Sequence, residues 1–256
     1  MTKIIFLLPP SEWKKSENKY NWEKLSFTFE KPLEIAKNVT EKDLKCKGDR
    51  FLEWLELNKK LTSPQPSPLE ERELFIEAIN RYSGVMYSAI NYSEMSEIWK
   101  KYFEDNFLIL SGMYWILKPL DRIWNYKLPI DSKWLFDFWW EKIVKDFAKS
   151  KPEYIINLLP ISYSKLLWLA KCRRHLYKRE LLIEAWIKII NINFLKENWD
   201  KISHWVKKIK WEWIKNICEQ NIKLIKISDW KINFEKSFWW KIIEENWIIN
   251  LNIKKI

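Results

Sequence analysis

The amino-acid sequence predicts an α+β fold: a single compact domain over residues 1–256, with a mixed β-sheet flanked by helices. The chain has 256 residues, of which 47% are hydrophobic, so it is long and apolar enough to bury a sizeable core. Short apolar runs typical of buried strands intermix with segments whose apolar residues recur every three or four positions. The order shows neither a fixed internal period nor strict βαβ repetition, which favours one mixed sheet.

The first half of the chain is predicted to contain two strands and three helices. In order they are a strand at 3–8, helices at 41–60, 69–80 and 93–104, and a strand at 107–110. The first strand is a short apolar run that ends at Pro9 and Pro10. The Pro/Ser-rich segment at 61–73 is interpreted as a surface loop or a short insertion.

The second half repeats this mixture. The predicted elements are a helix at 137–148, a strand at 154–159, a helix at 162–171, a strand at 185–192, a helix at 203–219 and strands at 222–227, 231–235 and 241–249. In the helix at 203–219, Ile209, Trp213 and Ile217 recur every four residues, and the lysines fall mostly on the other side.

Composition argues against a membrane protein and against a secreted protein, and it indicates the cytoplasm. No apolar run approaches the ~18 residues of a membrane helix, and the run from Ile4 to Leu8 is shorter than a signal-peptide core. The three cysteines, Cys46, Cys172 and Cys218, are odd in number and widely spaced, which argues against a disulfide framework. We expect a cytoplasmic monomer with no membrane partner.

The net charge of +11 is typical of a protein that meets phosphate. Lysine, isoleucine and asparagine are abundant throughout, however, as an AT-rich genome would produce without functional demand. Local clusters are therefore more informative than the total. One lies between Lys171 and Arg179, and another between Lys207 and Lys215.

Tryptophan and glycine occur in unusual proportions. The chain has 19 Trp and 3 Gly, whereas ordinary usage would give about 18 Gly. UGA encodes Trp in some lineages and Gly in others, so translation with the wrong code would write Trp for Gly. We hypothesise that many of these positions are glycine in the native host. The candidate positions are Trp13, Trp115, Trp140, Trp199, Trp211 and Trp230. Asn198-Trp199 and Asp229-Trp230 would then be strong hairpin dipeptides. The alternative is a Trp-rich core, which Trp54 and Trp139 fit.

Six blocks of the sequence resemble, in order, those of the YaaA-type peroxide-stress proteins. They are LLPPSEWKK near the start, RYSGVMYSAI (Arg81–Ile90), LILSGMYWILKPLDRIWNYKLPI (Leu108–Ile130), FDFWWEKI (Phe136–Ile143), YIINLLPISYSKLL (Tyr154–Leu167) and ISHWVKKIKWEWIKNIC (Ile202–Cys218). The family pattern has Gly where this chain has Trp13, Trp115, Trp140 and Trp211. The resemblance implies a protein that lowers peroxide damage, keeps free iron low and binds double-stranded DNA in a basic cleft. It also implies one α+β domain with a helix-hairpin-helix-like element, for which LSGMYW is a candidate turn. A tight turn before Pro119 is the alternative there.

Ten residues are candidates for binding nucleic acid: Ser11, Lys14, Lys15, Arg81, Tyr82, Lys118, Asp121, Lys207, Lys208 and Lys210. The first three follow the first strand, where open sheets usually place ligands. Arg81 and Tyr82 could stack on a base or pack in the core. Lys118 and Arg122 would share a face if the segment is helical, and Asp121 could form an ordinary surface ion pair with either of them. The family resemblance favours Lys118 and Asp121 as residues of the binding cleft instead. The three later lysines could neutralise phosphates or form a solvated helix face.

Catalytic and metal-binding patterns are weak. Cys172 and His175 have a Cys-x-x-His spacing, but no second pair completes a zinc site, and no P-loop sequence is present. We therefore predict no cofactor, no metal and no recognisable catalytic set. The alternative function is an enzyme acting on a nucleobase, nucleotide or damaged DNA, with a pocket lined by Ser11–Lys15, Arg81 and Lys118. An iron-sequestering protein is a third possibility, disfavoured by the scarcity of histidine.

Overall fold

The computed structural model describes residues 3–15, 38–44, 47–59, 75–129, 151–160, 186–195, 238–245 and 248–255, and single positions 135, 147, 150, 163 and 214. Its strands are β1 (Ile4–Leu8), β2 (Phe75–Glu77), β3 (Phe107–Ser111), β4 (Trp115–Leu117), β5 (Arg122–Trp124), β6 (Tyr154–Asn157), β7 (Lys188–Leu195), β8 (Phe238–Glu245) and β9 (Ile248–Lys255). Its helices are α1 (Glu41–Leu44), α2 (Asp49–Lys59), α3 (Ala78–Arg81), α4 (Val85–Ile90) and α5 (Glu97–Asn106). None of these described helices is long and apolar enough to cross a membrane.

The chain divides into two compact units. The first unit consists of Met1–Leu8, Met95–Phe107 and Trp140–Ile256, and the second unit of Pro9–Glu94 and Leu108–Trp139. Strands and helices intermix in the described residues, which confirms the predicted α+β class. A single domain over 1–256 stays a prediction.

The first unit contains a mixed sheet in which β1, β6, β7, β9 and β8 follow one another. Neighbours from β1 to β9 are parallel, and β8 is antiparallel to β9. Every residue of β1 is buried, as expected for a parallel strand covered on both faces. The mixed sheet that the sequence predicted is therefore confirmed.

Helix α5 packs against this sheet through aromatic rings. The helix begins after Ser96 and carries Glu97 in its first turn, where a negative charge favours the helix dipole. The Phe103 ring stacks on Phe107 at 4.3 Å between centroids, and Phe107 stacks on Phe6 at 4.5 Å. Offset aromatic stacks of this kind stabilise by about 0.5–1.5 kcal/mol beyond the buried area.

The second unit combines two small antiparallel pairs with short helices. β2 pairs with β5, and the part of β3 beyond Phe107 pairs with β4 in a hairpin. Helix α3 follows β2 directly, and its first amides donate to the Asp121 carbonyl at 2.8 Å (Ala78 N) and the Pro119 carbonyl at 2.9 Å (Ile79 N). Because the first amides of a helix have no partner within the helix, the turn at 118–121 holds α3 in place.

Several predicted elements are confirmed with small shifts. The strands expected at 3–8, 107–110 and 154–159 are β1, β3 and β6, and the strand expected at 185–192 is β7, at Lys188–Leu195. The helix expected at 93–104 is α5, at Glu97–Asn106. The helix expected at 41–60 is interrupted between α1 and α2, where Gly48 has φ +63°. Glycine adopts this left-handed conformation at little cost, and at the start of α2 the Gly48 carbonyl accepts hydrogen bonds from the Phe51 and Leu52 amides at 3.0 and 3.1 Å.

Two predicted elements were wrong. Residues 75–77, expected within a helix, form β2 because Phe75 and Ile76 pair with Trp124 and Ile123 of β5. The strand expected at 241–249 is divided between β8 and β9, whose closing pair is Glu245 and Ile248. The pairing of β2 with β5 is non-local, so helical spacing alone could not reveal it.

The strands β4 and β5 were not predicted. Residues 118–121 form a turn and Arg122 begins β5, so Lys118 and Arg122 do not share a helix face. The LSGMYW segment contains the end of β3, a turn at 112–114 and the first residue of β4, so the tight-turn alternative holds there. A helix-hairpin-helix-like element elsewhere stays a prediction. Apart from the single positions 147, 163 and 214, the elements expected at 137–148, 162–171, 203–219, 222–227 and 231–235 lie outside the described residues.

Candidate functional site around Lys14 and Arg81

Two distant segments of the second unit run side by side and bring five predicted site residues together. Lys14 and Tyr82 form an antiparallel bridge. The Lys15 amide donates to the Arg81 carbonyl at 2.9 Å, and the Ser11 hydroxyl donates to the Ser83 carbonyl. These contacts join positions about 70 residues apart, which backbone hydrogen bonds stabilise as they do a sheet.

Gly84 allows this close approach. Its φ is +114°, a conformation almost confined to glycine, and a Cβ there would lie 3.1 Å from the Ser11 Oγ. Gly84 also precedes α4, from which the Tyr87 hydroxyl donates to the Pro9 carbonyl at 2.9 Å. The glycine therefore fixes how the segment after β1 meets α4.

Lys14 is a cation surrounded by aromatic rings. Its Nζ lies 4.1 Å from the ring centroid of Tyr126 and 5.3 Å from that of Tyr82, and it donates to the Ser11 carbonyl at 3.0 Å. Burial holds the pKa of Lys14 well below its usual value, and the charges of Lys127 and Arg81 lower it further. No described carboxylate forms an ion pair with Lys14. The charge of Glu12 raises the pKa of Lys14, but by less than either cation lowers it.

A chain of buried hydroxyl groups lies beside the ammonium. The Tyr82 and Tyr126 hydroxyl oxygens are 2.7 Å apart, and the Ser111 Oγ is 2.8 Å from the Tyr126 hydroxyl. All three side chains are fully buried. Burial raises the pKa of Tyr82 well above its usual value, so its hydroxyl stays protonated. We call these three residues with Lys14 and Arg81 the Lys14 cluster.

Arg81 is a buried cation, 1% exposed, whereas Lys14 is half-buried. Its Nη1 donates to the Lys15 carbonyl at 2.5 Å and its Nε to the Ile123 carbonyl at 3.4 Å. Burial lowers the pKa of Arg81 to about 10, and the nearby Tyr114 opposes this shift.

Lys127 adds a third cation at the edge of the cluster. Its Nζ donates to the Glu12 carbonyl at 2.7 Å, and its backbone is tied to the buried Asn58 amide by two hydrogen bonds of 2.7 and 2.9 Å. The Lys127 Nζ also lies 5.7 Å from the Trp13 ring and 5.5 Å from the Trp54 ring. Burial lowers the pKa of Lys127.

Lys118 and Asp121 lie outside the Lys14 cluster. Lys118 is exposed, and its amide donates to the Asp121 Oδ2 at 2.7 Å. This turn holds the start of α3, which carries Arg81, so the described contacts of Asp121 position the cluster without joining it. Lys207, Lys208 and Lys210 lie outside the described residues.

Sequence reasoning missed Ser111, Tyr126 and Lys127. All three fall inside the block at Leu108–Ile130 that carried the family resemblance, so a signal existed. Their meeting with Lys14 and Tyr82 depends on the β3–β4 hairpin and on β5, which were not predicted. Proximity across separations of 15 and 44 residues is set by the fold.

The hypothesis that Trp replaces Gly gains support at two described positions. Trp115 has φ +75° and Trp186 has φ +58°, a left-handed conformation that is an outlier for a bulky residue. Trp186 is also 88% exposed, and Trp13, beside the Lys14 cluster, is 72% exposed. Trp140, Trp199, Trp211 and Trp230 lie outside the described residues.

The described residues contain no group of three or more His, Cys, Asp or Glu side chains arranged to hold a metal ion. Cys172 and His175, whose spacing was weighed as half of a metal site, lie outside the described residues.

Comparison with known proteins confirms the family resemblance. A family model described as peroxide stress protein YaaA matches residues 4–236. A UPF0246 protein of Malacoplasma penetrans is 28% identical over 254 residues, covering 91% of this chain and 95% of the relative. A UPF0246 protein of Fusobacterium nucleatum is 28% identical over 233 residues, covering 86% of each chain. One from Limosilactobacillus reuteri is 33% identical over 129 residues, covering 48% of this chain and 46% of the relative. Because the family match spans most of the chain, this protein belongs to the YaaA peroxide stress protein family.

Proposed function

We propose that this protein binds double-stranded DNA in the cytoplasm through the Lys14 cluster and neighbouring cations, and thereby limits peroxide damage. The observation that carries the proposal is the convergence of Lys14, Arg81 and Lys127, with no described carboxylate paired to Lys14. A buried charge is costly unless an opposite charge meets it. Phosphate oxygens would supply that charge through strong, charge-assisted hydrogen bonds.

The charge of the whole chain supports the same partner. A net charge of +11 attracts polyanions and speeds their encounter. Lys15 and Lys118, both exposed, are proposed as further phosphate contacts, as are Lys207, Lys208 and Lys210. Binding of this kind is largely independent of base sequence, because phosphates carry no sequence information.

Membership of a peroxide stress family supports a role in protecting DNA. Peroxide damage to DNA depends on iron, which associates with phosphates as other cations do. A protein that neutralises several phosphates releases the cations bound there. We propose that displacement of iron from the duplex is how binding limits iron-dependent damage, with the protein acting as a monomer.

The proposal is tested by measuring the affinity for a short DNA duplex from low to physiological salt. Contact with about four phosphates predicts a slope near −3.6 in a plot of log affinity against log salt. Lys14→Met and Lys118→Met are each expected to reduce the slope by about 1. Lys101→Met is the matched control, because Lys101 is an exposed lysine of α5 in the first unit that pairs with Asp105.

Absence of binding at low salt would contradict the proposal. It would indicate that the net charge of +11 reflects codon composition. Binding whose slope is unchanged by the Lys14 and Lys118 variants would place the interface elsewhere.

A second candidate function is an enzyme acting on a nucleobase, nucleotide or damaged DNA. The observation that favours it is the chain of hydroxyl groups beside the Lys14 amine, since a duplex-binding surface needs no buried tyrosine pair. Product formation from a nucleoside or from damaged DNA would support it.

A further inference from the structure

We propose that the Lys14 amine is a nucleophile that forms an imine with the aldehyde of a ring-opened deoxyribose, as found at an abasic site in DNA. This inference rests on the proposed function, because DNA binding is what brings such a sugar to the cluster. It assigns covalent chemistry to the deprotonated form of Lys14, whereas the protonated form is the phosphate contact of the proposed function.

The surroundings of Lys14 suit a neutral amine. A carboxylate partner would hold the nitrogen as an ammonium ion, but its described hydrogen-bond acceptor is the Ser11 carbonyl at 3.0 Å. A carbonyl accepts a hydrogen bond from either form of the nitrogen. The rings of Tyr82 and Tyr126 occupy the other described contacts.

Electrostatics favours the same form. Burial lowers the pKa of Lys14, and the charges of Lys127 and Arg81 lower it further. A lysine activated by desolvation and by a neighbouring cation is a recognised kind of nucleophile, because a larger fraction carries a free lone pair near neutral pH. The hydrogen-bond geometry of Lys14 and its electrostatic surroundings thus both favour the neutral amine as the reactive form.

The reaction balances without an oxidant or a metal. The nitrogen lone pair of Lys14 attacks C1′ of the aldehyde, a C–N bond forms, and the carbonyl electron pair moves to oxygen, which takes a proton. Loss of water then gives the imine, so amine and aldehyde yield imine and water. The hydroxyls of Tyr82, Tyr126 and Ser111 lie 2.7 and 2.8 Å apart along the chain and can pass the protons.

An aldehyde within DNA fits the surrounding cations better than a free sugar does. Lys127 lies close enough to Lys14 to lower its pKa, and its ammonium could hold a phosphate that flanks an abasic sugar. Oxidative damage produces abasic sites, so the substrate class agrees with a peroxide stress family.

The test incubates the full chain with a duplex oligonucleotide carrying one abasic site, in the presence of sodium cyanoborohydride, which reduces an imine to a stable amine. We expect a protein–DNA product on a denaturing gel and a mass increase that maps to the peptide containing Lys14. Lys14→Arg is expected to lower the trapped product at least ten-fold relative to wild type at equal occupancy of the duplex, which the salt titration measures for each variant. Lys101→Arg, outside the cluster, is expected to trap as wild type does.

A parallel reaction with 2-deoxyribose 5-phosphate needs no duplex binding and so separates the two proposals. Trapping of this sugar at Lys14 without duplex binding would support the nucleophile and contradict the proposed function. Duplex binding with no trapping of either probe would overturn the nucleophile and leave the proposed function standing. Trapping that maps to another lysine in the wild-type protein would also overturn it, whether or not Lys14→Arg folds.

Discussion

Lys14 carries its charge at a position where burial, Lys127 and Arg81 all disfavour the protonated form. Its pKa in the folded protein therefore lies below the unfolded value of 10.5. The resulting destabilisation is fully present below the folded pKa and disappears as the pH rises toward the unfolded pKa. A charged group at such an unfavourable position is typical of a functional site.

Replacing Lys14 with methionine is expected to stabilise the folded protein at pH 7 by on the order of 1 kcal/mol, because an apolar side chain of similar length removes the buried charge. The gain should shrink as the pH approaches 10. Urea unfolding at pH 7 and at pH 9.5 measures both effects. Lys15→Met, at an exposed position, is the control and should change stability by less than about 0.5 kcal/mol. A variant less stable than wild type at both pH values would contradict the electrostatic account.

Trp186 is the clearest position for testing the glycine hypothesis, because it has φ +58° and is 88% exposed. We expect Trp186→Gly to stabilise the protein by about 1 kcal/mol, since a left-handed non-glycine residue costs roughly 1–2 kcal/mol. Trp99→Gly, in helix α5, is the matched control and should destabilise, because glycine weakens a helix. Equal destabilisation by both changes would argue that tryptophan belongs at 186. Peptide masses of protein from the native host would identify the residue directly.

At the scale of elements, short apolar runs could be predicted and long-range pairs could not. β1 and β6 are buried, strongly apolar runs, so the sequence alone indicates them. β2 exists because it pairs with β5, about 45 residues later, which no local pattern encodes. The residues of the candidate site likewise divide into those that local sequence predicts and those that only long-range pairing brings there. Lys14 was predicted because it follows β1, whereas Tyr126 was missed because β5 brings it there.

The identity of one residue, Trp247, determines whether the β8–β9 hairpin can be predicted from the sequence. Its closing pair is Glu245 and Ile248, so two residues, Asn246 and Trp247, join the strands in sequence. Asn-Gly is among the strongest signals for a two-residue hairpin, and Asn-Trp is not. If Trp247 is glycine in the native host, the hairpin would have been evident from the sequence.

Gly84 gives a test of how α4 is joined to the segment after β1. Gly84→Ala is expected to destabilise the protein by about 1–3 kcal/mol, because φ +114° disfavours any side chain and the new Cβ would press on the Ser11 Oγ. Gly48→Ala is the control: φ there is +63°, but no atom lies within 4 Å of the added Cβ. It should cost about 1 kcal/mol from backbone strain alone. Thermal unfolding measures the difference, and equal losses would show that the contact with Ser11 does not matter.

At the scale of the whole molecule, the described part of the candidate site lies in the second unit. The Lys14 cluster, Lys118 and Lys127 fall within Pro9–Glu94 and Leu108–Trp139. Lys207, Lys208 and Lys210 belong to the first unit. DNA contacts to the second unit and DNA contacts to the first unit therefore test different parts of the proposed interface.

The most direct test of the central claim is a cross-linking map. A duplex with photoreactive thymine analogues on both strands would be irradiated with the protein at low salt, and the attached peptides identified by mass spectrometry. The account predicts cross-links to peptides from 11–15 and 81–87 that disappear as salt is raised. Cross-links confined to the first unit, with none to these segments, would contradict the assignment of DNA binding to the Lys14 cluster.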